Sequence, residues 1–344
     1  MPTSAVPASH LGQETDPAVH RAPFPPLARL RFHLLAQDSI RLPDYPGSAW
    51  RGLLGHGLRR TACVTRQPSC NGCLLAQQCV YSTLFETPAP AVAAARGYTA
   101  LPHPFVLAID PTAPRQLAPD TPFSLTVHLF GPAIAQAPYL IHAMGIAGQR
   151  GFGREGGCFT LTSVEREGRL GCHDWSLVYA SDSGLYQTGE TATPCTPPAP
   201  APDEARLRLL TPLRIKRDGH FVGARDLTAL DIVHSLYRRL HSLATSYGGD
   251  PRRFETRAIP RDPEALRLHA DWLRWHEWTR YSSRQDTLMQ FGGLIGEIRL
   301  TGPALPDLWP ALWFGQWAQV GKGTAFGLGG YRIAEHGRDD ASFS

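Results

Sequence analysis

Leu27, Leu30, Phe32, Leu34 and Leu35 are interleaved with Arg29 and Arg31, so the first regular stretch reads as a strand over Leu27–Leu42. Pro43 and Pro46, which cannot donate to a ladder, stop it. The period then lengthens. From Ser48 to about Ala62, Trp50, Leu53, Leu54, Gly57 and Leu58 fall on one side of a helical wheel, with Gly52, His56 and Arg59 opposite and Arg60 at the boundary. Strands are predicted at Pro104–Ile109 and Phe123–Phe130, where Leu125, Val127 and Leu129 alternate with Thr126, His128 and Phe130. A helix over Ala133–Gly148 carries Ile134, Tyr139, Leu140, Met144 and Ile146, and a strand over Cys158–Val164 follows. This order, β-α-β-β-α-β, is the ferredoxin-like arrangement.

The second half repeats it. A strand spans Arg206–Lys216, and a helix runs from about Thr228 to Tyr247. Thr228 and Asp231 suit a capping box with aspartate in place of glutamate. The helix stripe is Leu230, Val233, Leu236, Tyr237, Leu240, Leu243 and Ala244. Strands are predicted around Leu268–Tyr281 and Gln290–Leu300, then a helix over Pro306–Ala318 and a last strand over Gly330–Ala334. The expected fold class is α+β, with tandem ferredoxin-like (RRM-like) domains and a cysteine-rich insertion. The predicted boundaries are a flexible leader over 1–26 and a first domain over 27–180 with the cysteine cluster at 63–79. A Ser/Thr/Pro-rich linker over 181–205 then leads to a second domain over 206–336.

Composition narrows the partners. The 344-residue chain carries a net charge of +4, and only Lys216 and Lys322 are lysines. Arginine, with its planar fork of donors, suits phosphates and bases. No apolar run has the length of a membrane span, and the N-terminus lacks a basic stretch followed by an apolar one. A cytoplasmic protein without membrane partners is expected, so its seven cysteines should be reduced or metal-bound. Cys63, Cys70, Cys73 and Cys79 follow C-x6-C-x2-C-x5-C, with Gly72 allowing a tight knuckle. Four thiolates this close can surround a structural zinc, the first expectation, or hold an iron–sulfur cluster.

Two glycine-rich loops precede the fourth strand of each half. The first holds Gly148, Gly151, Gly153, Gly156 and Gly157 with Arg150 and Arg154; the second holds Gly321, Lys322, Gly323, Gly327, Gly329 and Gly330. Neither is a P-loop, and a strand rather than a helix follows each. Their backbone N–H groups, if turned outward, would meet phosphate oxygens beside a cation, though structural turns have the same composition. His56 beside Arg59 and Arg60 suits proton transfer at a phosphate, and the same pattern also describes a solvated polar face. His234, Arg238 and His241 make a row of the same two readings, RNA-facing or solvated.

Four stretches together resemble the Cas-six family of CRISPR repeat-processing endoribonucleases, of the RAMP superfamily. They are Gly47-Ser48-Ala49-Trp50-Arg51-Gly52-Leu53-Leu54-Gly55-His56, Leu209-Leu210-Thr211-Pro212-Leu213-Arg214-Ile215-Lys216, Tyr281-Ser282-Ser283-Arg284-Gln285 with Gly292-Gly293, and the C-terminal glycine loop. The resemblance spans most of the chain after the leader. It implies binding of CRISPR repeat RNA and one metal-independent cut within it, by 2′-OH attack, leaving a 2′,3′-cyclic phosphate and a 5′-OH. The family's histidine in or near the first helix corresponds to His56, with Arg59 or Arg60 stabilising charge and Tyr281 as a secondary participant. RNA contacts are expected at Arg150, Arg154, Arg238, Arg284, Gly321, Lys322, Gly323, Gly327 and Gly329. No cofactor is implied for catalysis. The resemblance also admits a non-cleaving RNA-binding subunit of a CRISPR effector complex, with other Cas subunits as partners.

Overall fold

The structure is a computed structural model. It describes residues 22–90, 100–152, 157–187, 192–270, 272–282 and 287–334. The first unit is built from β1 (Leu27–Ala36), α1 (Gly47–Ala62), β2 (Phe105–Ala108), β3 (Pro122–Phe130), α2 (Ala137–Arg150), β4 (Phe159–Glu167) and β5 (Trp175–Ala180). Its sheet runs β2-β3-β1-β4-β5, antiparallel throughout. With β5 set aside, this is the ferredoxin-like order, the first strand central and the helices on one face. Ala28, Leu30, Phe32, Leu34 and Ala36 of β1 point to that face and share a core with Trp50, Leu54, Leu58, Leu140, Ile141 and Met144.

The second unit repeats the plan with β6 (Glu204–Leu209), α3 (Ala229–Tyr247), β7 (Arg267–His269), the hairpin β8 (Arg274–Ser282) and β9 (Thr287–Ile295), β10 (Glu297–Thr301), α4 (Leu305–Ala318) and β11 (Tyr331–Ile333). Its sheet order is β7-β10-β6-β11, and the protein is a tandem ferredoxin-like fold. Thr228 and Asp231 cap α3 reciprocally, as their spacing predicts. The two units share one buried cluster: Leu27, Val106, Phe130 and Leu170 from the first pack with Leu236, Leu240, Phe314 and Trp317 from the second. No helix among the described residues is long and apolar enough to cross a membrane.

Three expectations change. The strand over Arg206–Lys216 ends at Leu209. Leu210 and Thr211 both donate to the Gly330 carbonyl, and Pro212 has no N–H with which to continue a ladder. The two long strands around Leu268–Tyr281 and Gln290–Leu300 each divide between the main sheet and the hairpin. The second breaks at Gly296, whose φ of 127° turns the chain tightly against Trp272. Phe24, in the stretch read as a flexible leader, is 4% exposed and stacks on Phe314 with ring centroids 4.4 Å apart. One aromatic among prolines carries no period, so its burial has no sequence signature.

Candidate active site

His56 stands on the exposed side of α1, while Trp50, Leu53, Leu54, Gly57 and Leu58 are buried. Behind it the helix packs tightly on α2: a Cβ at Gly57 would overlap the Ala143 carbonyl oxygen. That approach brings Arg150, in the last turn of α2, within electrostatic reach of His56. Partial burial first, then Arg150 and Arg59, hold the imidazole below the ordinary histidine pKa. It is therefore neutral at pH 7 and has a lone pair with which to accept a proton. His56 opens into a hollow that Arg59, Arg60, Cys63, Arg66, Gln67 and Pro68 also line. Arg59 differs from the other arginines in being engaged. Its guanidinium lies 5.6 Å from the Tyr81 ring centroid and donates to the Gln67 carbonyl, tying the cysteine-rich segment to the helix.

The C-terminal glycine loop is wedged between the units. Tyr45 Oη donates to the Phe326 carbonyl at 2.7 Å and Thr211 Oγ1 to the Gly327 carbonyl at 2.7 Å. The loop's N–H groups largely face inward. Lys322 N–H donates to Arg214 O, Gly329 N–H to Pro212 O, and Phe326, Gly327 and Leu328 bond within the loop. At Gly327 the φ of 82° and the closeness of the Leu107 carbonyl both require glycine. Gly321 and Gly323 also have positive φ and are partly exposed, and the Lys322 side chain is exposed beside them. Gly327 thus secures the interface of the two units, the other loop glycines pack within the second unit, and Lys322 remains available to a ligand.

His234, Arg238 and His241 lie apart from this hollow. Arg238 and His234 line a second groove with Thr256, Ile259, Pro260 and Arg261, whereas the His241 Nδ1–H donates to the Pro251 carbonyl. The backbone of Tyr281 pairs with Leu288 in the hairpin. Arg154 and Arg284 lie outside the described residues.

The cysteine expectation is corrected. Cys63, Cys70, Cys73 and Cys79 are free thiols that line one hollow between the end of α1 and the following turns. They do not close on a point: among the described residues no three His, Cys, Asp or Glu side chains form a group able to hold a metal ion. The thiols have other neighbours. Thr65 Oγ1 sits 3.9 Å from Cys63 Sγ and 3.7 Å from Cys73 Sγ, and Cys79 Sγ turns to the Ala62 carbonyl. Neither zinc nor an iron–sulfur cluster is supported by this arrangement.

Sequence reasoning missed Arg66 as part of the His56 hollow, and no local pattern marks it. It also missed a buried network between the units. Arg29 donates from Nη1 to Glu167 at 2.6 Å and from Nε to His128 at 3.3 Å, and the His128 Nδ1–H donates to the Trp317 carbonyl at 2.8 Å. The only hint was arginine alternating with apolar residues in β1.

Comparison with known proteins bears on the fold. Residues 207–331 match the family model described as CRISPR-associated endoribonuclease Cas6, and residues 24–191 match a model described as an N-terminal domain. An uncharacterized protein of Archaeoglobus fulgidus is 24% identical over 309 residues, covering 89% of this chain and 97% of that protein. A Cas6 product complex (TTHB231, a Thermus thermophilus protein) superposes with a TM-score of 0.53 at 18% identity, covering 90% of this chain and 100% of that one. A chain of a partial Cas6-RT-Cas1–Cas2 complex gives a TM-score of 0.52 at 14% identity, over 91% of this chain and 47% of that one. At these identities the structural likeness is one of fold, and the family model is matched by the second unit. The second unit thus matches the Cas6 family model, and the chain as a whole shares its fold with solved Cas6 proteins.

Proposed function

We propose that this protein cuts CRISPR precursor RNA once within each repeat, without a metal ion, and that the His56 hollow is where the cut occurs. The supporting observation is a neutral histidine flanked by arginines in an open hollow. His56 takes the proton of a ribose 2′-OH. The 2′-oxygen forms a bond to the adjacent phosphorus, the bond from phosphorus to the 5′-oxygen breaks, and that oxygen is protonated as it leaves. The products are a 2′,3′-cyclic phosphate and a 5′-OH. Arginines balance the negative charge that builds on the phosphoryl oxygens, a contribution needing no metal. Lys322 and Arg150 contact backbone phosphates, and Arg238 with His234 offers a further basic groove to RNA. The Cas6 product complex and the partial Cas6-RT-Cas1–Cas2 complex among solved structures of this fold support RNA and Cas proteins as partners.

The test is incubation with CRISPR-repeat RNA in EDTA. Expected is a single cut with cyclic-phosphate and 5′-OH ends, abolished by a 2′-deoxy nucleotide at the cleavage position. His56→Ala should lose about 10²–10⁴-fold in single-turnover rate with RNA affinity nearly intact. Tight binding without cleavage by the wild-type protein would instead support a non-cleaving subunit.

A further inference from the structure

The residues after α1 do more than leave the helix. The chain turns at Cys63, whose N–H still bonds to the Arg59 carbonyl, and comes back so that Arg66, Gln67 and Pro68 line the same hollow as His56. Arg66 sits in the left-handed region, with φ of 52°. For a residue with a Cβ that conformation is strained, and it persists only where surrounding contacts enforce it. Two such contacts flank it. The Arg66 N–H points at the Cys63 sulfur, and the Arg59 guanidinium holds the carbonyl of Gln67, the next residue. The arginine nearest His56 in sequence is thus used as a strut, and a strained one beyond the helix is set at the rim.

The charge around the hollow is one-sided. Arg60, Arg66 and Arg150 are exposed, and none has an ion-pair partner among the described residues; the ion pairs found lie elsewhere in the protein. A neutral histidine surrounded by uncompensated guanidiniums fits an anionic ligand with flat, paired oxygen acceptors.

We propose that Arg66 is a further phosphate-contacting residue of the reaction, its guanidinium binding the non-bridging oxygens of the RNA phosphate held beside His56, with Arg59 as the residue that positions its loop. This rests on the reading of the hollow as the cleavage site.

The decisive variant is Arg66→Gly, because glycine accepts the left-handed backbone and removes only the side chain. Two measurements use a synthetic CRISPR-repeat RNA: single-turnover cleavage at saturating protein, and the salt dependence of binding with a 2′-deoxy nucleotide at the cut. Expected for Arg66→Gly is a rate about 10- to 100-fold lower and a log–log salt slope shallower by roughly 0.7, the loss of one phosphate contact on single-stranded RNA. Arg66→Lys, which keeps the charge but not the fork, should recover the slope and part of the rate. A rate within about twofold of wild type with an unchanged slope overturns the proposal. So does a rate lost equally in both variants with the slope unchanged, since that assigns Arg66 to loop structure. If the wild-type protein binds without cutting, the nuclease reading fails, and the slope alone still decides whether Arg66 holds a phosphate.

Discussion

A histidine becomes a base at neutral pH when its charged form is disfavoured, and for His56 that arises from partial burial, Arg150 and Arg59. The sign is fixed. A lowered pKa keeps the ring neutral to a pH below the ordinary histidine value of about 6.5, so the acid limb of the cleavage profile should lie below that value. Arg150→Ala removes one of the two cations and should move the limb upward, toward the ordinary value. A log rate–pH profile of wild type and variant under single-turnover conditions checks both statements. A limb that stays in place, or moves to lower pH, would separate Arg150 from His56. Arg150 was legible only as a basic residue in a glycine cluster; its nearness to His56 depends on two helices packing at the distance a glycine permits.

That packing belongs to the element scale. Gly52 and Gly57 look alike in sequence, being glycines inside one helix. A Cβ at Gly52 would meet nothing within 4 Å, whereas one at Gly57 would overlap the Ala143 carbonyl oxygen and crowd Ala147. Gly52→Ala should therefore stabilise the protein by about 0.5–1 kcal/mol, through helix propensity alone. Gly57→Ala should destabilise it by about 1–3 kcal/mol despite the same gain, because α1 must lift from α2. Denaturant midpoints at constant m value measure both. The faces of α1 and the cap of α3 could be read from the sequence, since period and capping are properties of one helix. The extra turn-rich path after α1 could not, because cysteine spacing states what the loop contains and not where its thiols point.

At the scale of the whole molecule, the units are joined through a buried polar network as well as an apolar core. His128 is wholly enclosed, its Nδ1–H bound to the Trp317 carbonyl and its Nε2 accepting from Arg29. Burial and the neighbouring Arg29 push its pKa down to about 3, and burial with Arg51 pushes that of His103 to about 4. An unfolded histidine takes up its proton near pH 6.5, so between about 6.5 and about 3 the unfolded state binds more protons and stability falls as pH falls. Each buried histidine contributes a slope of up to about 1.4 kcal/mol per pH unit, His128 down to about pH 3 and His103 down to about pH 4. Melting temperatures at pH 7.5 and 5 should drop for the wild type, and the drop should be smaller for His128→Gln. Equal drops in the two proteins would show that His128 stays uncoupled from folding.

The sequence by itself determined the β-α-β-β-α-β core of both halves, without β5 or the β8–β9 hairpin, the inner and outer faces of α1 and the reciprocal cap at Thr228 and Asp231. Those features depend on side chains a few residues apart, whose spacing is set by the geometry of one helix or strand. Tertiary structure alone decided which stretch entered which sheet, since strand-forming residues continue on both sides of the turn at Gly296. It also buried Phe24 against Phe314 and joined Arg29 to Glu167, 138 positions later. It set the four thiols along one hollow without grouping three of them closely enough to hold a metal ion, and it brought Arg66 into the hollow of His56. Each of these depends on groups that meet only after the chain has closed on itself, which no local period records.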